Sequence, residues 1–202
     1  MPISLAIDGA FRDSVLDAQS AFRAIMAAMA EPGRVIPLAS QPCPPAPLSP
    51  SAAATVLTLC DHDTPLWIDP AIAGSAQAKA WIAFHTGAPI TANPIEAHFA
   101  LAAHPGDLIA LENFAQGTQD YPDRSTTLIL QVETLQAARS LSLQGPGIET
   151  VARVAPHPLP RHFAEQWGQN NRRFPRGLDV VFAAPEGVAC LARTTRIIGV
   201  EG

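Results

Sequence analysis

A layered α/β fold is what this sequence predicts. Segments of helical period alternate with short β-branched or aliphatic runs along the whole chain, and no internal repeat is present. The 202 residues are 48% hydrophobic with a mean hydropathy of +0.13, enough to build one large apolar core. With 15% charged residues the chain is neither a disordered nor a collagen-like polypeptide, and a single domain over 1–202 is expected. Periodicity does not order the strands.

From Asp13 to Ala30, Val15, Ala18, Phe22, Ile25, Met26 and Met29 recur at three- and four-residue steps. This predicts a helix burying that face, capped by Asp13 and ended by Pro32-Gly33. Five prolines between Gln41 and Pro50 remove backbone donors and fix dihedrals, so the stretch reads as an extended surface loop. An Ala-rich helix follows over Ser51 to Leu59. Thr64-Pro65 resets the chain, and Leu66-Trp67-Ile68 enters a strand or buried turn. Ser75 to Gly87, through Trp81, Ile82 and Phe84, predicts another helix, with Gly87 placed for a left-handed C-terminal cap. His98 to Ala102 is short and ambiguous.

Asp107 is placed to cap a helix through Leu108, Leu111 and Phe114 that stops at Gly117. Thr126 to Val132 is the strongest strand, and Leu141 and Leu143, alternating with serine, predict a half-buried one before Gly145-Pro146-Gly147. After a proline-containing connection, Arg161 to Arg172 fits a helix ending before Pro175, and Leu178 to Ala183 a buried strand.

Thirteen Lys+Arg against 18 Asp+Glu give a formal net charge of −5, so no positive field draws in DNA or RNA. Lys79 is the sole lysine and the other twelve cations are arginine, a bias that suits bidentate contacts to carboxylate or phosphate but also follows from genomic base composition. Cys43, Cys60 and Cys190 are widely spaced and form neither a disulfide framework nor a zinc pattern, which points to a reducing, cytosolic setting. Met1 to Phe11 has no signal-peptide character and no run approaches ~18 apolar residues, so neither export by that route nor membrane spanning is expected.

Clusters of a basic residue, a hydroxyl and a glycine are the candidate sites. Arg124, in Tyr121-Pro122-Asp123-Arg124-Ser125, could fork onto an anion with Ser125 as a further donor; alternatively Pro122-Asp123 is a turn and Arg124 pairs with a local carboxylate. His85-Thr86-Gly87 presents either an imidazole and hydroxyl to a substrate or a helix cap. Gly145-Pro146-Gly147 is first a tight turn. No Walker-type loop and no dinucleotide fingerprint is present, since the lone lysine sits between alanines in a helical pattern. Arg172-Arg173-Phe174-Pro175-Arg176-Gly177 and Arg193-Thr194-Thr195-Arg196 are the most basic stretches, fitting an anion pocket, a partner-facing patch or a solvated surface. Asp61-His62-Asp63 is too short to converge on a metal.

Taken in order, a set of segments resembles the H component of the bacterial carbon-phosphorus lyase system, which degrades phosphonates. They are Gly9-Ala10-Phe11 with Ala18-Gln19 and Phe22-Arg23; Thr64-Pro65-Leu66-Trp67; Phe84-His85-Thr86-Gly87-Ala88-Pro89; Pro122-Asp123-Arg124-Ser125; Gly145-Pro146-Gly147-Ile148; Phe174-Pro175-Arg176-Gly177 with Asp179; and Arg193-Thr194-Thr195. Thr126 and Ala192 depart from the family pattern, which has alanine and proline there.

The resemblance implies a three-layer α/β sandwich with a mixed central sheet, similar to pyridoxal-phosphate-dependent transferases but without the cofactor. Lys79, the one residue able to form a Schiff base, lies outside the matched segments. It also implies a homodimer when isolated. Its implied partners are subunits G, I and L in a ribose methylphosphonate triphosphate synthase, and G, I and J in a core complex. No catalytic residue is implied. Two expectations follow: an accessory subunit that docks its sisters, or a subunit whose His85, Thr86, Arg124, Ser125, Arg176 and Arg193 bind a triphosphate or phosphonate.

Overall fold

Successive residues of the central strands bury in opposite directions in the computed structural model, which describes residues 8–201. Among the described residues the strands are β1 (Leu66–Ile68), β2 (Ile90–Thr91), β3 (Phe99–Ala102), β4 (Thr127–Gln131), β5 (Ser140–Gln144), β6 (Ala152–Val154), β7 (Asp179–Ala184), β8 (Gly187–Leu191) and β9 (Arg196–Glu201). The α-helices are α1 (Leu16–Ala30), α2 (Pro50–Leu59), α3 (Pro70–Ala73), α4 (Ala76–Thr86) and α5 (Phe163–Arg172).

Six strands form a mixed sheet in the order β2-β1-β3-β4-β7-β8, parallel throughout except for the β7–β8 hairpin. On one face Leu66, Ile68, Leu101 and Ile129 pack with Ala52, Val56, Trp81 and Ile82 of α2 and α4. Towards the β8 edge, Val181, Val188 and Cys190 meet Ala21, Ile25 and Ala28 of α1. The opposite face, Trp67, Ala100, Leu128, Leu130, Val180 and Phe182, is covered by Phe163 and Trp167 of α5 and by Leu141, Leu143 and Val154. These last belong to a second, antiparallel sheet ordered β6-β5-β9. Both faces of the parallel strands are therefore apolar, as a sheet with cover on both sides requires.

Local chemistry fixes α4 as the sequence predicts. Ser75 Oγ accepts from the Ala78 amide at 3.2 Å, and Gly87 takes φ 68° while its amide donates to the Ala83 carbonyl at 3.0 Å. Asp13 Oδ1 likewise accepts from the Val15 and Leu16 amides. The ambiguous His98 to Ala102 segment resolves as β3, between β1 and β4.

Several expectations are corrected. There is no helix from Asp107 to Phe114: the chain makes two short 3₁₀ turns, Pro105–Asp107 and Leu111–Asn113. Gln166 of α5 takes the Leu111 amide at 2.8 Å and Gln116 the Leu111 and Phe114 carbonyls at 2.9 Å, so tertiary partners replace the helical ladder. This lets Phe114 pack edge-on against Trp67, with centroids 5.2 Å apart. On α1 the face that buries is Ala21, Ile25 and Ala28, and Phe22 (46% exposed) and Met26 (50%) face outward with Val15. Small side chains let α1 approach α2 and β8. Finally, Ser142 does not alternate to solvent; it is buried, and its hydroxyl donates to Glu201 of β9 at 2.9 Å. Strands β2, β6, β8 and β9 are additions that the sequence pattern does not mark.

Candidate functional site

The starts of the parallel strands are in register: Leu66 pairs with Phe99, Phe99 with Thr127, and Thr127 with Asp179. Thr64-Pro65, Gly87-Ala88-Pro89, Ser125-Thr126 and Gly177-Leu178 thus enter the sheet along one edge, the amino edge. Because β8 runs antiparallel, its end delivers Arg193 to the same edge.

Arg193 is the hub there. Its amide donates to Asp179 Oδ1 at 2.7 Å, its Nε reaches both carboxylate oxygens at 3.2 Å, and Nη2 contacts Asp179 Oδ2. Nη2 also donates to Ser125 Oγ at 2.7 Å, while Nη1 reaches the Pro122 carbonyl at 2.5 Å and the Pro175 carbonyl at 3.4 Å. Side-chain exposures of 16% and 18% make this a largely desolvated charge pair with its remaining donors satisfied. One guanidinium therefore ties β7, β8 and two loops together, and the donors expected for an anion are engaged by the protein itself.

Arg124 follows in the turn where its amide donates to the Tyr121 carbonyl at 3.3 Å. Its exposed guanidinium lies 4.1 Å from the Tyr121 ring centroid, a cation–π contact rather than the carboxylate pair considered above. Arg176 is exposed one residue beyond the tethered Pro175 carbonyl. The structure thus gathers Arg124, Ser125, Arg176 and Arg193 around one junction.

His85 and Thr86 stand elsewhere. They precede β2, and two strands separate β2 from β4, a span of about 14 Å at ordinary strand spacing. Thr86 Oγ1 donates to the Ile82 carbonyl at 2.8 Å and accepts from Ala88 at 3.0 Å, while the His85 ring sits edge-on to Trp81 and Phe84. This is the capping arrangement. Gly147 has φ 82°, and a Cβ on it would lie 1.9 Å from the Ala30 carbonyl oxygen, so its turn exists to pass under the end of α1. His62 contacts exposed Asp63, and no group of three metal-capable residues converges among the described residues.

Sequence reasoning passed over a cavity of about 450 Å³ between the second sheet and the start of α5. Leu141, Leu159, Phe163 and Val200 form its apolar wall, and Arg139, His157, His162 and Glu165 its polar one. The available signal was His157-Pro158-Leu159-Pro160-Arg161-His162, two imidazoles held by prolines in what reads as a connection. Burial pushes the Cys60 thiol up to about 12 and raises Cys190 further, so neither supplies a thiolate. No helix among the described residues is long and apolar enough to cross a membrane.

A family model described as bacterial phosphonate metabolism protein (PhnH) matches residues 9–198. The chain is 47% identical over 189 residues to alpha-D-ribose 1-methylphosphonate 5-triphosphate synthase subunit PhnH of Rhizobium meliloti (strain 1021), covering 94% of each. It is also 28% identical over 179 residues to HtxG of Stutzerimonas stutzeri, a protein named for a C-P lyase subunit, covering 89% of this chain and 85% of that one.

Proposed function

Because the chain belongs to the PhnH family of bacterial phosphonate metabolism proteins, we propose that it is an accessory subunit of a ribose methylphosphonate triphosphate synthase in the carbon-phosphorus lyase system, acting through its sisters rather than by chemistry of its own. The reading places it in the cytoplasm, homodimeric when isolated, with subunits G, I, J and L as partners. The observation that carries it is the use made of the family segments at the amino edge. Arg193 bonds both Asp179 and Ser125, Thr86 and Gly87 cap α4, and Gly147 seats the end of α1.

Exposed apolar groups supply docking surface: Val15 at the N-cap of α1 with Phe22 and Met26 on the helix, and Tyr121 and Phe174 beside Arg124 and Arg176. The test is co-expression with the sister subunits. A Phe22→Glu, Met26→Glu double variant is expected to fold normally and to lose co-purification; retention of every partner and full synthase activity would overturn the role of that surface.

A second reading gives the subunit an anion site at the amino edge. It is supported by Arg124 and Arg176, whose guanidinium groups make no ion pair among the described residues and project from two loops joined through Arg193. Calorimetric titration with ATP and methylphosphonate separates the readings, since heat that disappears in Arg124→Ala favours a site.

The same reading includes kinship with the pyridoxal-phosphate transferase fold in a form needing no cofactor, as the family resemblance implies. Lys79 lies on α4, one turn after the Ser75 cap. Borohydride-trappable aldimine at Lys79 after incubation with pyridoxal phosphate would refute this.

A further inference from the structure

We propose that the cavity between β5, β9 and the start of α5 is a binding site for a small organic phosphonate or phosphate monoester, with Arg139, His157 and His162 taking the oxyanion head. Its volume of about 450 Å³ suits a small ligand, and it is separate from the amino-edge junction. Three observations converge on it.

The first is position. Two residues past the end of β4, the Glu133 amide donates to the His157 carbonyl at 2.7 Å, and the Thr134 amide reaches it at 3.3 Å. The loop carrying His157 is therefore fastened just beyond the carboxyl end of a central parallel strand. Open α/β sheets present ligands at that end, because loops and helix starts converge there without obstructing the sheet. The amino edge, by contrast, is occupied by the bonded Arg193 junction.

The second is unused donor capacity. Among the described residues the side chains of Arg139, His157 and His162 make no hydrogen bond, ion pair or ring contact. In a chain of net charge −5, three basic side chains from three separate elements line one cavity against a single carboxylate, Glu165. An arginine and two imidazoles brought to one cavity offer an anion several hydrogen-bond donors at once.

The third is the chemistry of the walls. A head with three oxygens answers three donor groups arriving from the lead into β5, the 156–160 loop and the start of α5; a carboxylate offers two. Leu141, Leu159, Phe163 and Val200 then cover an apolar substituent. His162 itself holds φ 54°, the sole non-glycine with positive φ among the described residues, a backbone strain of the kind that clusters at ligand clamps.

Phenylphosphonate is the probe, titrated calorimetrically into the full chain, with inorganic phosphate and benzoate as the headgroup and carboxylate arms. Saturable binding of phenylphosphonate is expected, with weaker binding of either control. Arg139→Ala, at an exposed position, and the double variant His157→Gln, His162→Gln are each expected to weaken it at least tenfold with unchanged circular dichroism. Arg124→Ala is expected to leave it unaltered, which keeps this site distinct from the amino-edge reading. Absence of saturable binding, undiminished affinity in Arg139→Ala, loss in Arg124→Ala, or equal affinity for benzoate would each overturn the proposal.

Discussion

Arg193, just past the end of β8, holds Asp179, the first residue of β7, through its backbone amide, its Nε and its Nη2 together. Removing the guanidinium leaves a mostly buried carboxylate with one remaining amide partner and frees the Pro122 and Pro175 carbonyls. Arg193→Ala is expected to cost about 2–4 kcal/mol, read as a lower urea midpoint with an unchanged slope. Arg193→Lys should recover little, because a point charge cannot replace the fork. A midpoint equal to that of the parent chain would mean the junction is incidental.

Gly147 meets the last carbonyl of α1. A methyl group there would lie 1.9 Å from the Ala30 oxygen in a left-handed conformation that alanine resists. Gly147→Ala is expected to lose more than about 2 kcal/mol, a melting-temperature drop of roughly 4–8 °C for a chain of this size. If the turn were instead a place where ligand approaches backbone, stability would hold and only binding would suffer.

The Thr134 hydroxyl donates to Glu186 Oε1, and with help from the Leu135 amide it holds the Glu186 carboxyl below the ordinary glutamate range, against an opposing effect of burial. Asp17 and Glu201 are lowered similarly by the hydroxyls of Ser40 and Ser142. A carboxylate whose folded pKa is depressed stabilises the fold fully above its unfolded pKa. That stabilisation is lost as pH falls through the ordinary carboxylate range, about 4, towards the folded value. Urea midpoints should therefore decline between neutral pH and pH 3, and Thr134→Val should flatten part of the decline. An identical pH profile in that variant would remove Glu186 from the explanation.

The three thiols are unequal. Cys43 is exposed, whereas Cys60 and Cys190 are buried with their pKa values raised by desolvation. At pH 8 a disulfide-exchange reagent is expected to modify one thiol promptly and the other two only on unfolding. Prompt release of three equivalents from the native chain would contradict the packing of α1 and α2 against the sheet.

What was readable in the chain follows the range of the forces involved. Ser75 and Gly87 bracket α4 because a cap bond and a left-handed φ are decided within four residues. The Pro122-Asp123 turn and β4 are legible for the same reason. The face of α1 was legible only in part: of six apolar residues at helical spacing Ile25 is buried, but its neighbours on the covered face are Ala21 and Ala28, while Val15, Phe22 and Met26 are exposed. Leu111 and Phe114 have helical spacing too, yet Gln116 and Gln166 capture their backbone groups.

The candidate site divides along the same line. Arg124, Ser125, Arg176 and Arg193 could be picked out as polar residues near strand ends, and the ordered segments identify the family. Arg193 is 14 positions from Asp179 and 68 from Ser125, so its use as a clamp exists only once β7 and β8 pair. The cavity at Arg139, His157 and His162 likewise forms where the second sheet meets α5. By itself the sequence determined the class of fold, the caps and turns, and the kinship, all of which rest on local chemistry or ordered similarity. The tertiary structure decided which charges neutralise one another and which remain open to a ligand, because electrostatic partners are chosen by distance in space, not along the chain.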